Sequence, residues 1–156
     1  MKKRLILMLV LAVVVLSMIG LVACTDPNAL EGTMTLVLLN GENAQEFSVD
    51  LSNFTTESNG LIAVLDLLQS QEKLTYEAQD SAYGKFLTRV GELRQDEAAG
   101  TYLSLYTTVE KDKDVSAYAT TLTYKDVTLT SSGVGAESMT MEKDCIVVIT
   151  LFSYNG

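Results

Sequence analysis

The closing stretch CIVVITLF, residues 145–152, is apolar at every position except Thr150. Side chains along a strand alternate between the two faces of its sheet, so a run with no polar face has no side that can be left in water. Such a strand belongs in the middle of a sheet, covered above and below. The end of the chain must therefore return to the centre of a sheet built from earlier segments.

Those segments are readable. MTLVLLN, GENAQ and EFSVDL give two strand-like runs around an Asn40-Gly41 turn, predicting strands at about 33–39 and 46–51 joined as a hairpin. In SNGLIAVLDLLQSQ, residues Leu61, Val64, Leu65 and Leu68 fall on one helical face that Ile62 broadens, with Ser58 or Asn59 available as a cap. This is the one amphipathic helix expected after residue 24. From Leu74 onward the pattern is β-like, and ELRQDEAAG, 92–100, reads as a connection containing a short helical turn. TYLSLYTTVE alternates, with Leu103, Leu105 and Val109 on one side and Tyr102, Ser104 and Tyr106 on the other. EKDKD, 110–114, reads as a charged, solvated turn, and the threonine-rich YATTLTY and DVTLT read as strands near an edge. One helix, an opening hairpin and a buried last strand predict an α+β fold, a β-grasp-like mixed sheet with first and last strands parallel at its centre.

The N-terminus carries a different signal. Lys2, Lys3 and Arg4 precede nineteen residues, Leu5 to Ala23, whose only members outside Ala, Val, Ile, Leu and Met are Ser17 and Gly20. A basic start before such a run directs a chain into a membrane, as a signal peptide or an uncleaved anchor helix. Leu21-Val22-Ala23-Cys24 resembles a bacterial lipobox, which implies a diacylglycerol on the Cys24 thiol and cleavage before it. An uncleaved anchor and an ordinary secreted product are the alternatives. The expected organisation is a lipoprotein signal peptide at 1–23, a lipidated cysteine and tether at 24–33, and a single domain at 34–156, held on the extracytoplasmic face of a cell membrane.

Loss of 1–23 leaves 8 basic against 20 acidic residues, a net charge of −12. Nucleic-acid binding needs clustered Lys and Arg, and this balance argues against it. Nucleophilic catalysis is poorly served too, since the chain has no histidine for a Ser-His or Cys-His pair or for a catalytic zinc. Ser70-Gln-Glu-Lys73 matches Ser-x-x-Lys without the partner motifs of penicillin-recognising enzymes. Asp112-Lys-Asp114-Val-Ser116 begins like a calcium loop but has Ala117 at the glycine position and Thr123 at the bidentate Glu position. Gly133-Val-Gly135 stops one glycine short of a dinucleotide fingerprint. Cys145 reads as a small buried apolar residue. No catalytic residue, metal ligand or cofactor is assigned, and no enzyme activity is expected.

Four stretches together resemble a family. GLIAVLDLLQS is similar to the Gly-x-x-Val-Leu-Asp-Ala-Leu helix of bacterial domains related to the C-terminal β-domain of transcobalamin and intrinsic factor. SAYGKFLTRVGEL resembles that family's Gly-Tyr-Phe-Val-x-x-Ile-x-Gly stretch, TYLSLYTTV its Tyr-Trp-x-Tyr-Tyr-Val strand, and GVGAESMTMEKDCIVVITL its closing turn and last strand. The resemblance runs from about Met34 to Phe152. It implies a β-grasp domain related to soluble-ligand-binding domains, which in the animal relatives covers one side of cobalamin. The family's Trp is Leu103 here, its Asn-Gly after that strand is Glu110-Lys111, and its turn Gly is Lys143.

Two functions follow as expectations. The first is capture of a small, corrinoid-like ligand against an aromatic surface, with Tyr83, Phe86, Tyr102 and Tyr106 as the candidate binding residues, because an aromatic ring offers a flat apolar face and tyrosine adds a polar tip. The second is a protein-interaction module serving an envelope transporter or adhesion complex through a sheet edge or loop. A concave site beside Tyr102 and Tyr106 favours the first, and a flat hydroxyl-rich face the second.

Overall fold

The computed structural model describes residues 27–82 and 84–153. The expected signal segment and Cys24 lie outside the described residues, as does Tyr83. No helix among the described residues is long and apolar enough to cross a membrane.

The described residues fold as α+β, with one α-helix, a six-stranded sheet and a separate three-stranded sheet among them. Strands β1 (Thr33–Asn40) and β2 (Asn43–Asp50) form the opening hairpin. Asn40 pairs with Asn43, and Gly41 takes a φ of 62° between them. The turn sits where the sequence places it, and β2 begins three residues earlier than expected because the two-residue loop lets pairing start at once.

Helix α1 (Gly60–Ser70) buries Leu61, Ile62, Val64, Leu65 and Leu68. Asn59 stands at its N-cap without a side-chain cap bond, while the Ser58 hydroxyl accepts from the Thr55 N–H. Neither expected cap serves. The helix start is set instead by Gly60, whose φ of 48° lets the carbonyls of Ala136, Glu137 and Met139 approach to 2.6–2.8 Å of where a Cβ would stand.

The second sheet holds β3 (Tyr76–Ser81), β4 (Gly84–Val90) and β5 (Leu93–Arg94). The segment expected to contain a helical turn thus contributes a short strand, because Val90 and Leu93 pair directly across Gly91-Glu92. Strands β6 (Thr101–Thr107), β7 (Thr121–Tyr124), β8 (Val127–Ser131) and β9 (Ile146–Ser153) complete the large sheet in the order β2-β1-β9-β6-β8-β7. The last strand lies between β1, which it parallels, and β6, to which it is antiparallel. Val147, Val148 and Ile149 are buried, as a strand apolar on both faces requires.

Each face of β9 has its own core. Val147 and Ile149 join Leu36, Leu38 and the apolar face of α1. Val148 joins Val37, Tyr106 and Leu129 on the other face. That second core exists because the sheet curls until its outermost strands meet. The Tyr124 hydroxyl on β7 donates to Glu46 Oε1 on β2 at 2.6 Å.

Residues 29 and 30, read as tether from the sequence, are tied to the domain. Ala29 bridges Thr55, and the Leu30 N–H donates to the Phe54 carbonyl at 2.9 Å. The charged turn is also less solvated than its composition suggests. Asp112 is only 4% exposed. Its Oδ2 accepts the Thr140 N–H and its Oδ1 the Thr140 hydroxyl, which pins the loop before β9 against the turn after β6.

Candidate functional site

Strand β6 is paired with β9 along its whole length but with β8 only at Tyr106 and Thr107. On the side away from β9, Thr101 exchanges two backbone bonds with Asp96, each 2.8 Å, and the Ser132 N–H donates to the Leu105 carbonyl at 2.7 Å. Between those two closures no described strand is hydrogen-bonded to the outer side of β6. The space there is a cleft of about 280 Å³. Lys85, Phe86 and Leu87 of β4 form one wall, Leu103, Ser104 and Leu105 of β6 the other, and the loop 131–136 closes the top through Ser131, Ser132, Val134, Gly135 and Ala136.

The walls are held in place by specific bonds. Glu137 Oε2 accepts the Lys85 N–H at 2.8 Å and joins the loop to β4. Gly84, at φ 95°, admits that carboxylate, which occupies the place a Cβ would take. The rim hydroxyls have partners. Ser132 donates to the Val134 carbonyl at 2.9 Å, and Ser131 accepts the Thr120 N–H at 3.0 Å. Lys85 Nζ lies 2.6 Å from Asp80 Oδ1, and that hydrogen bond holds its pKa above the ordinary lysine value. What remains for a ligand is the apolar part of both walls, Ser104 between Leu103 and Leu105, the partly exposed Phe86 ring and the backbone of β6, a combination typical of sites that orient a ligand through few polar groups.

The aromatic residues expected to act together are separated. Phe86, 44% exposed, stands in the cleft wall. Tyr102 sits on another surface of β6, directly opposite Phe152 of β9, with both rings partly exposed. Tyr106 does not belong to a binding surface. It is buried in the second core, with its hydroxyl 3.0 Å from that of Thr120. Alternation put Tyr102 and Tyr106 on one face correctly, but curling of the sheet covers only the Tyr106 end. The importance of Leu103 and Leu105 as strand edge has no sequence signal, since any residue type supplies the same backbone groups.

A second cavity, about 320 Å³, lies among Leu30, Thr55, Ser58, Lys111, Thr140 and Met141. It is larger, yet it is lined by no aromatic residue and by none of Phe86, Tyr102 and Tyr106. Cys145 is a free, buried thiol, and burial pushes its pKa up, away from nucleophilic use. Among the described residues no group of three or more His, Cys, Asp or Glu is placed to hold a metal ion.

No protein-family model matches the sequence, and no curated protein matches it. Solved structures do. A Ruminococcus gnavus ATCC 29149 protein described as a "putative metal binding protein" aligns with a TM-score of 0.50 at 16% identity, over 79% of this chain and 98% of its own. Haptocorrin in complex with Cbi aligns with a TM-score of 0.55 at 11% identity, over 79% of this chain and 25% of its own. The chain thus spans about a quarter of haptocorrin's length. At these identities the likeness is one of fold.

Proposed function

We propose that this chain is a lipid-anchored, extracytoplasmic binding protein of β-grasp type that holds a small, corrinoid-like ligand without catalysing a reaction on it. The observation that carries the reading is the cleft between β4 and β6, with Phe86 exposed in its wall and few free side-chain polar groups around it. Its fold-level likeness to haptocorrin, a structure solved with Cbi, supports the ligand class. At about 280 Å³ the cleft falls just short of the usual size of a small-molecule pocket, which suits contact with one side of a large ligand rather than its enclosure. The anchor reading rests on the lipobox-like Leu21-Val22-Ala23-Cys24 after an apolar run.

The test mixes the purified protein with cobinamide and with cobalamin, following the corrinoid absorption bands and the protein's Tm. The reading expects a spectral shift and a rise in Tm, both weakened about tenfold in affinity by Phe86→Ala, since loss of a stacked aromatic contact costs about 1.4 kcal/mol. No spectral change and no stabilisation at millimolar ligand would end the corrinoid assignment. For the anchor, Cys24→Ala is expected to abolish lipid labelling and membrane retention of mature protein; unchanged processing and partitioning would refute it.

A second reading has its own observation. Tyr102 and Phe152 form an exposed cross-strand aromatic pair, a surface suited to a protein partner such as an envelope transporter or adhesion complex. In-cell crosslinking from position 102 distinguishes the two: a discrete protein adduct supports the module, and its absence together with corrinoid binding supports the binder.

A further inference from the structure

We infer that the cleft between β4 and β6 recognises an extended peptide segment, one residue of which pairs with Leu103 through both backbone hydrogen bonds. The inference rests on reading this cleft as a binding site and adds to the corrinoid-like ligand a second class of occupant, held by the backbone of β6 rather than by the Phe86 ring.

The geometry comes from the pairing pattern of β6. In an antiparallel strand the backbone groups of successive residues point alternately to the two neighbours. Thr101 bonds Asp96, the Leu105 carbonyl accepts from Ser132, and Thr107 stands opposite Thr130 of β8. All three therefore direct their backbone away from β9, and Leu103, in phase with them, does the same. No described residue is paired with Leu103 on that side, where the β4 wall stands across the cleft. Its N–H and C=O face the cleft, and Leu103 and Leu105 are among the residues that line it.

A bare donor and acceptor on one residue of a strand edge are complementary to one residue of another extended chain, the basis of recognition by strand addition. Three features favour a short peptide over a long added strand. The open stretch is closed at one end by the Asp96–Thr101 pair and at the other by Ser132 on Leu105, which leaves room for a single two-bond pairing. The cleft volume of about 280 Å³ is the liquid share of roughly nine waters, fit for a few residues at most. The flanks are apolar at Phe86, Leu87 and Val134, which suits side chains projecting to either side of a paired backbone. The pairing needs no charge on the peptide, since the Lys85 ammonium is already engaged by Asp80.

The experiment titrates the detergent-solubilised, 15N-labelled full chain with a blocked tripeptide, acetyl-Val-Val-Val-amide, and with its analogue N-methylated at the central residue. Saturable shifts centred on the Leu103 and Leu105 amides are expected, with amide exchange at Leu103 slowed at least tenfold by the peptide. The N-methylated analogue is expected to bind at least tenfold more weakly. Leu103→Pro removes the N–H at a position that bears no β9 ladder bond, and is expected to lose the peptide while keeping the β9 amide signals. Shifts centred elsewhere, or equal binding of both tripeptides, would overturn the inference even if the proline variant does not fold. Cobinamide binding that depends on Phe86, without tripeptide binding, would overturn the peptide assignment alone. Failure of both ligands at millimolar concentration would overturn the cleft as a binding site as well.

Discussion

Tyr124 and Glu46 stand on the two outermost strands of one six-stranded sheet, yet the tyrosine hydroxyl donates to the carboxylate at 2.6 Å. Lys125 Nζ reaches the same oxygen at 2.6 Å. The contact ties the curl of the sheet and with it the second core around Tyr106 and Val148. Its hydrogen bonds from Lys125 and then Tyr124 hold the Glu46 pKa below the ordinary 4.5. A lowered folded-state pKa means that Glu46 contributes to the folded state above pH 4.5 and loses that contribution as the pH falls through its depressed value. Lys125 and Tyr124 are raised, each chiefly by its bond to Glu46, so their share is present below their ordinary values and lost as the pH climbs through the raised ones. The protection of the β7 amides, taken relative to the intrinsic exchange rate at each pH, is expected to fall in acid in the native chain, and Glu46→Gln is expected to show the lower protection already at neutral pH. Identical β7 exchange in the two proteins would show that the contact does not hold the curl.

Gly60 should tolerate no side chain. Alanine there meets a φ of 48° and a carbonyl at 2.6 Å. Gly60→Ala is expected to cost about 2 kcal/mol or more, from left-handed strain plus displacement of the 136–139 loop. Chemical denaturation measures it directly, and a neutral substitution would mean that the helix start relaxes freely.

Asp112 carries two hydrogen bonds from Thr140 while buried. Asp112→Ala leaves the Thr140 N–H without its acceptor, an expected loss of about 2–3 kcal/mol and roughly 10 °C of Tm. Asp112→Asn, which keeps one acceptor oxygen, is expected to recover part of the loss. Equal Tm for Asp112→Ala and the native chain would remove Asp112 from the structural account.

Tyr76 links helix to sheet, its hydroxyl donating to Asp66 Oδ1 at 2.6 Å. Burial first, and this carboxylate second, push its pKa up to about 12. A raised folded-state pKa contributes stability that is complete below the ordinary value of 10.0 and disappears as the pH rises through about 12. Ultraviolet titration should resolve one tyrosine ionising near 12 that is missing in Tyr76→Phe. If the variant's titration curve keeps that late step, the assignment belongs to another tyrosine.

The opening hairpin, the helix and the central last strand were legible because each depends on a short-range period: Asn40-Gly41 between alternating runs, Leu61-Val64-Leu65-Leu68 on one helical stripe, and unbroken apolarity over 145–149. Phe86 was legible as a candidate, and the structure places it in the cleft wall. Tyr106 lies on the face its period predicts yet is buried there, since the period says which face a residue occupies and not whether that face is later covered. The burial of Asp112 within EKDKD was hidden for the same reason, as its partner Thr140 is 28 positions away. Local patterning therefore determined the elements and their facing. Only tertiary structure decided which faces were sealed, that the outer strands met at Tyr124 and Glu46, and that no described residue pairs with the outer edge of Leu103, because burial and backbone pairing are set by where distant strands stop.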